Sequence, residues 1–204
     1  MENSKTASDK NEKWVCIAWR GLLGIAVAGV LFSILNYHIP FGGEKNIRYT
    51  FDGPSGMISF VYPVSRVRDR ERAQDGAPFI RMVEDPVYFD VTTSVPFDTA
   101  TLDVTYENTS PIPLQMGAKQ KEGDTPSILL KQFEQISRTG NWSNGTVSFD
   151  LRTSNRYNGK YTFVFSVPGL VTEKNVPGEV RLSEMTLRLK RKSLSWNDIA
   201  AIGR

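Results

Sequence analysis

The feature that most constrains this chain is an alternation of apolar and polar residues that recurs along it with a period of two. It is clearest in "DPVYFDVTTSVPFDTATLDVTYENTSP", residues 85 to 111. Val87, Phe89 and Val91 share one side of an extended segment, while Tyr88, Asp90 and Thr92 share the other. The second half repeats the scheme, with Ala100, Leu102, Val104 and Tyr106 against Thr101, Asp103 and Thr105. One apolar face per strand implies burial on one side only, the habit of antiparallel sheets.

The same pattern returns elsewhere. "MISFVYPV", Met57 to Val64, reads as a strand, as do Phe79 to Val83 and the run carrying Leu114, Met116 and Ala118. Val147, Phe149 and Leu151 alternate again, and so do Tyr161, Phe163, Phe165 and Val167. The latter follow Asn158-Gly159, a pair suited to the positive φ angles of a tight hairpin. "ILLKQFEQIS", residues 128 to 137, fits a short helix or a strand. In "GEVRLSEMTLRLKRK", Val180 and Leu182 share one parity, whereas Met185, Leu187 and Leu189 share the other. A strict strand cannot hold both sets on one face, so a bulge is expected near Ser183-Glu184. Arg66, Arg68, Arg70 and Arg72 stand at alternate positions, as in a charged edge strand or loop.

Roughly eight or nine strands separated by turns, with no crossover helices, predict an all-β, antiparallel two-sheet sandwich of jelly-roll type. The single cysteine, Cys16, excludes an intrachain disulfide, so the core alone must stabilise it. The expected division is a cytoplasmic tail over 1–13, a transmembrane signal-anchor over 14–40, a linker over 41–56, the sandwich over 57–192 and a tail over 193–204. That tail, "SLSWNDIAAIGR", is read as a short helix.

The anchor rests on the uncharged run from Gly21 to Tyr37. Gly21, Leu22, Leu23, Gly24, Ile25, Ala28, Val30, Leu31, Phe32, Ile34 and Leu35 are its expected membrane-spanning residues. Lys5, Lys10, Lys13 and Arg20 precede it and only Lys45 and Arg48 follow closely. The positive-inside rule therefore predicts a single-pass protein with its N-terminus in the cytoplasm and its sandwich outside. Bulky residues where a cleavage site would fall argue for an uncleaved segment. Gly24 and Ala28 provide a small-residue face that could pack against another helix.

The chemistry-bearing residues are few. The only histidine, His38, adjoins the apolar run, which excludes a Ser-His-Asp triad or a multi-histidine metal site in the sandwich. No Walker loop, G-x-G-x-x-G or H-E-x-x-H is present. The formal charge of +3 is scattered, so no nucleic-acid partner is indicated. No enzyme activity, cofactor or metal is expected. Exposed aromatics with amides or guanidinium groups nearby are the usual way to hold sugars. Trp142 with Asn141 in "GNWSNG", and Asn155, Arg156 and Tyr157 in "SNRYNG", are the candidate ligand-binding residues.

"GKYTFVFSVPGL" followed by "GEVRLSEMTLRLKR", together with "PVYFDVTTSVPFDTATLDVTYEN", resembles strands of galactose-binding-like jelly-roll domains, the fold of many carbohydrate-binding modules. In the resemblance Glu184, beside Ser183, takes the acidic place in the closing strand. The resemblance implies a two-sheet domain, loops that engage a ligand, and in some members a structural calcium held by loop oxygens. Glu84-Asp85 and Glu122-Asp124 are the segments that could contribute, though neither matches a defined calcium loop. The expected function is a membrane-anchored, non-catalytic binding module for cell-envelope glycan or another polymer. The alternative is a structural subunit of a membrane or cell-surface assembly, with protein partners reached through the helix or the C-terminal tail.

Overall fold

The computed structural model describes residues 18–34, 43–51, 55–73, 76, 78–121, 127–170 and 178–192. The chain divides into two units, Met1–Phe41 and Gly42–Arg204.

In the first unit, residues 18–34 form a helix. Among the described residues no helix is long and apolar enough to cross a membrane. Of the expected anchor over 14–40, this helix covers residues 18–34, with Trp19, Leu22, Leu23 and Ile25 exposed. Leu35, the rest of the expected flanks and the tail over 193–204 lie outside the described residues.

The second unit is a two-sheet antiparallel sandwich. Its strands are β1 (Glu44–Tyr49), β2 (Val67–Arg72), β3 (Pro78–Met82), β4 (Val87–Thr92), β5 (Thr99–Asn108) and β6 (Gln115–Gln120). They continue as β7 (Ser127–Gln132), β8 (Glu134–Thr139), β9 (Trp142–Asp150), β10 (Arg156–Tyr157), β11 (Lys160–Ser166) and β12 (Val180–Lys190). Among the described residues, a seven-stranded sheet runs β2-β3-β12-β5-β9-β8, with β1 also on β12. A five-stranded sheet runs β10-β11-β6-β7, with β4 on the other edge of β11.

The phase conflict in β12 resolves as a bulge. Leu182 pairs with Tyr106 and Glu184 with Thr105, which leaves Ser183 as the extra residue. Its Oγ donates to Pro78 O at 3.0 Å. With this slip Val180, Leu182, Met185, Leu187 and Leu189 are all buried. The bulge also divides one edge of β12, where β3 pairs with Val180 to Leu182 and β1 with Met185 to Lys190.

Several local expectations change. Residues 44–49, assigned to a linker, form β1, because Ile47 and Tyr49 bury one face against the core. Met57 to Val64 is not a strand. It touches β4 through isolated bridges at Ile58–Val91 and Tyr62–Tyr88. Residues 128–137 are two strands in different sheets, parted at Phe133. In the arginine-rich segment a register shift between Arg68 and Glu71 breaks the alternation. Glu184, the acidic position of the resemblance, accepts from Arg48 Nε at 2.5 Å and so joins β12 to β1.

Between the sheets the inward side chains form one core. Phe89 and Phe163 stack with centroids 5.5 Å apart, and Phe149 meets Phe163 edge-on at 6.0 Å. Tyr161 is buried and its hydroxyl accepts from Phe97 N at 3.0 Å, so no polar group is stranded there.

Candidate binding groove

Alternation sends every second residue of the five-stranded sheet to its outer face. On β4 these are Tyr88 and Asp90, on β11 Thr162 and Val164, on β6 Gly117 and Lys119, and on β7 Ile128 and Leu130. Tyr62 joins them from the preceding loop, held by reciprocal backbone bonds to Tyr88 at 2.8 and 2.7 Å.

These residues line two adjoining depressions. One, of about 510 Å³, is lined by Tyr62, Asp90, Lys119, Asn155, Tyr157, Asn158, Lys160 and Thr162. The other, of about 350 Å³, shares Tyr62, Lys119 and Thr162 and adds Tyr88, Ile128, Phe163 and Val164. Together they make an open groove across the sheet, polar at the β10 end and apolar at the β7 end.

The aromatic wall is preorganised. The Tyr62 and Tyr88 rings stack at 5.7 Å with 23° between planes. Tyr62 Oη donates to Asp90 Oδ1 at 3.0 Å, and Thr162 Oγ1 donates to the same oxygen at 2.8 Å. Among the described residues Asp90 Oδ2 takes no hydrogen bond, so it remains an acceptor for a ligand. Burial, then the charge of Asp90 and the bond to it, push the Tyr62 phenol up to about 12. A raised phenol favours the folded state fully below its unfolded value near pH 10, and that contribution is lost as pH rises from there through about 12. In an alkaline titration at 295 nm, wild type minus Tyr62→Phe should show one phenol ionising near pH 12. A difference centred at pH 10 would mean that the contact to Asp90 does not persist in solution.

The floor depends on Gly117. A Cβ at this position would lie 2.6 Å from Ile128 Cγ2, 2.7 Å from Val164 Cγ1 and 2.9 Å from Leu130 Cδ2. Val164 is buried and stiff at χ1, so it cannot swing aside. Gly117→Ala should destabilise the fold by about 1–3 kcal/mol, read as a lower urea midpoint at unchanged slope.

The five expected ligand residues do not form one site. Asn155 and Tyr157 line the groove, and Tyr157 is 73% exposed. Arg156 lies between them but turns away, donating through Nη2 to Thr93 O at 2.5 Å and through Nε to Thr93 Oγ1 at 3.3 Å. It ties the β10–β11 hairpin to the end of β4. Asn141 and Trp142 lie on the outer face of the other sheet, in a depression of about 530 Å³ with Phe79, Glu107 and Arg181. There Trp142 packs edge-on against Phe79 at 6.0 Å, and the Arg181 guanidinium lies over the Phe79 ring.

Sequence reasoning missed Tyr62, Tyr88, Asp90, Lys119, Lys160 and Thr162. The available signal was Tyr88, a large ring at a wet-face position of a strand with a dry face. Of the calcium candidates, Asp85 Oδ1 accepts from Val167 N at 2.7 Å and Glu84 lies 3.7 Å from Arg66. Glu122 and Asp124 lie outside the described residues. Among the described residues no group of three or more His, Cys, Asp or Glu could hold a metal ion.

No protein-family model matches the chain, and no curated protein matches it. Among solved structures it resembles carbohydrate-binding modules. The CBM22-1 xylan-binding domain of Paenibacillus barcinonensis Xyn10C aligns at 10% identity and TM-score 0.46, covering 72% of this chain and 94% of that one. The C-terminal CBM6 of LamC from Zobellia galactanivorans aligns at 12% and 0.39, covering 70% and 98%. A β-1,3-glucan-binding CBM6 from Bacillus halodurans aligns at 9% and 0.41, covering 72% and 96%.

Proposed function

We propose that this protein is a non-catalytic binding module that holds an extended glycan in the groove on the outer face of its five-stranded sheet. The observation that carries the reading is the Tyr62–Tyr88 stack beside Asp90, Thr162, Asn155 and Tyr157 in an open channel. Sugar rings present apolar faces that lie on aromatic planes and hydroxyls that need donors and acceptors at the rim. An open channel accepts an internal stretch of polymer, whereas a closed cavity would demand a chain end. Glycoside hydrolysis needs two carboxyl groups flanking the scissile bond, and Asp90 is the one carboxylate among the described lining residues.

The test is native electrophoresis of the full chain through gels containing plant, algal, fungal and bacterial polysaccharides. Retardation in at least one gel, reduced by the double variant Asn155→Ala/Tyr157→Ala, is the expected result. Unretarded migration in all of them would overturn the reading.

A second reading, an interaction subunit, is favoured by one observation. Among the described residues β7 is an edge strand of its sheet, and Ile128, Leu129 and Leu130 are each at least 40% exposed. Its partner would be a second copy. Antiparallel pairing of two β7 strands about Leu129 sets Ile128 opposite Leu130, apolar on apolar. Sedimentation equilibrium would show a dimer that Leu129→Lys dissociates; a monomer at all concentrations would remove this reading.

A further inference from the structure

Five cations on the seven-stranded sheet are answered by carboxylates, while Arg72 and Arg138 donate to backbone carbonyls of Gly76 and Gly140. Arg48 meets Glu184, Arg188 meets Asp103 at 2.7 Å, and Arg81 meets Glu71 at 2.8 Å and Glu179 at 3.1 Å. Arg181 bonds Glu107 at 2.9 Å and also contacts Glu179, and Lys190 lies 3.8 Å from Glu44. In the groove of the five-stranded sheet the pattern stops. Lys119 and Lys160 both line the 510 Å³ depression, and among the described residues neither has a carboxylate partner. Asp90 is the one acid among the described lining residues, and its Oδ1 is taken by Tyr62 and Thr162.

We infer that the groove selects an acidic polysaccharide, one whose sugar rings carry carboxylates. This rests on the glycan-binding reading and specifies its ligand class. Two ammonium groups lining one depression give point charges that reach for anionic substituents, while the tyrosine stack and Asp90 Oδ2 serve the ring faces and hydroxyls. A neutral polymer would offer both ammonium groups only hydroxyl and ring-oxygen acceptors, without the added attraction of a charged one. Exposed pairs of this kind are screened by salt, so the selectivity is strongest at low ionic strength.

Three matched pairs test it: polygalacturonate, alginate and hyaluronate, each against its own methyl ester, which keeps the backbone and removes the charge. Isothermal titration or gel retardation of the full chain should show at least one acid form bound tenfold or more tightly than its ester. That preference should shrink at 0.5 M NaCl and collapse to within about twofold in Lys119→Gln/Lys160→Gln. Circular dichroism and the urea midpoint should be unchanged in the double variant, because both side chains are on the surface. No acid form bound more tightly than its ester in any of the three pairs, with some polymer of the wider panel retained, or a preference that survives the double substitution, would overturn the acidic class and leave glycan binding standing. Absence of binding to every polymer, here and in the wider gel panel, would overturn the glycan reading itself.

Discussion

Phe163→Ala is expected to destabilise the sandwich by about 3–5 kcal/mol. The residue is fully buried and sits on β11, the central strand of the five-stranded sheet. It stacks on Phe89 of β4 at 5.5 Å and meets Phe149 of β9, in the opposite sheet, at 6.0 Å. Truncation therefore opens a void at the interface between the two layers as well as within one of them. Rigid neighbouring strands cannot collapse into it, so the cavity term adds to the lost transfer energy. No disulfide compensates, since Cys16 is the only cysteine. A domain of this size typically has about 5–15 kcal/mol to lose, so the variant should be marginal at 37 °C. Urea unfolding followed by tryptophan fluorescence is the check. A midpoint shift worth less than about 1 kcal/mol would mean that Phe163 is not at the inter-sheet contact. Phe163→Leu, which keeps most of the volume, should recover more than half of the loss.

Tyr62→Ala should weaken polysaccharide binding by roughly thirty-fold or more, equivalent to about 2 kcal/mol. Tyr62 lines both depressions of the groove. Removing its ring takes away one sugar platform and exposes the Tyr88 face that the ring covers. It also frees Asp90 Oδ1, which loses one of its two hydroxyl donors. Tyr62→Phe separates these roles, because it keeps the ring and discards only the bond to Asp90. It should retain most of the binding, within about threefold to fivefold, as expected for one hydrogen bond of about 1 kcal/mol. Equal affinity in wild type and Tyr62→Ala, measured against a retarding polysaccharide, would exclude the tyrosine wall from the site.

The sandwich was legible because its signal is local. Alternation in 87–92, 99–108 and 160–166 is a property of neighbouring residues, and the burial of Val87, Phe89, Val91, Phe163 and Phe165 follows from it. The bulge at Ser183 was legible for the same reason, as a parity break between Leu182 and Met185. β1 was not, because "EKNIRY" shows only Ile47 and Tyr49 as apolar positions and needs β12 beside it to make sense of them. The split at Phe133 was hidden as well, since Leu129, Leu130 and Phe133 also satisfy helical spacing.

The site was less accessible because it depends on pairings across long stretches of chain. Tyr157 and Trp142 are 15 positions apart, yet β9 and β10 belong to different sheets, so their side chains serve opposite faces. Asp90 and Thr162 meet only because β4 lies against β11. The wet-face assignment of Tyr88 and Asp90 was already readable at the level of one strand. That the face they share is a groove became readable only with the strand order. The helix over residues 18–34 was legible for the same local reason as the strands, a continuous apolar run.

The most direct test of the central claim is a binding map. The full chain, isotope-labelled, is titrated with hexasaccharides of the polysaccharide that retards it most, and amide and side-chain shifts are followed by NMR. Shifts should concentrate on Tyr62, Tyr88, Asp90, Lys119, Tyr157 and Thr162, with the Trp142 indole silent. Shifts centred on Trp142 and Arg181, with the tyrosine groove unmoved, would contradict the account.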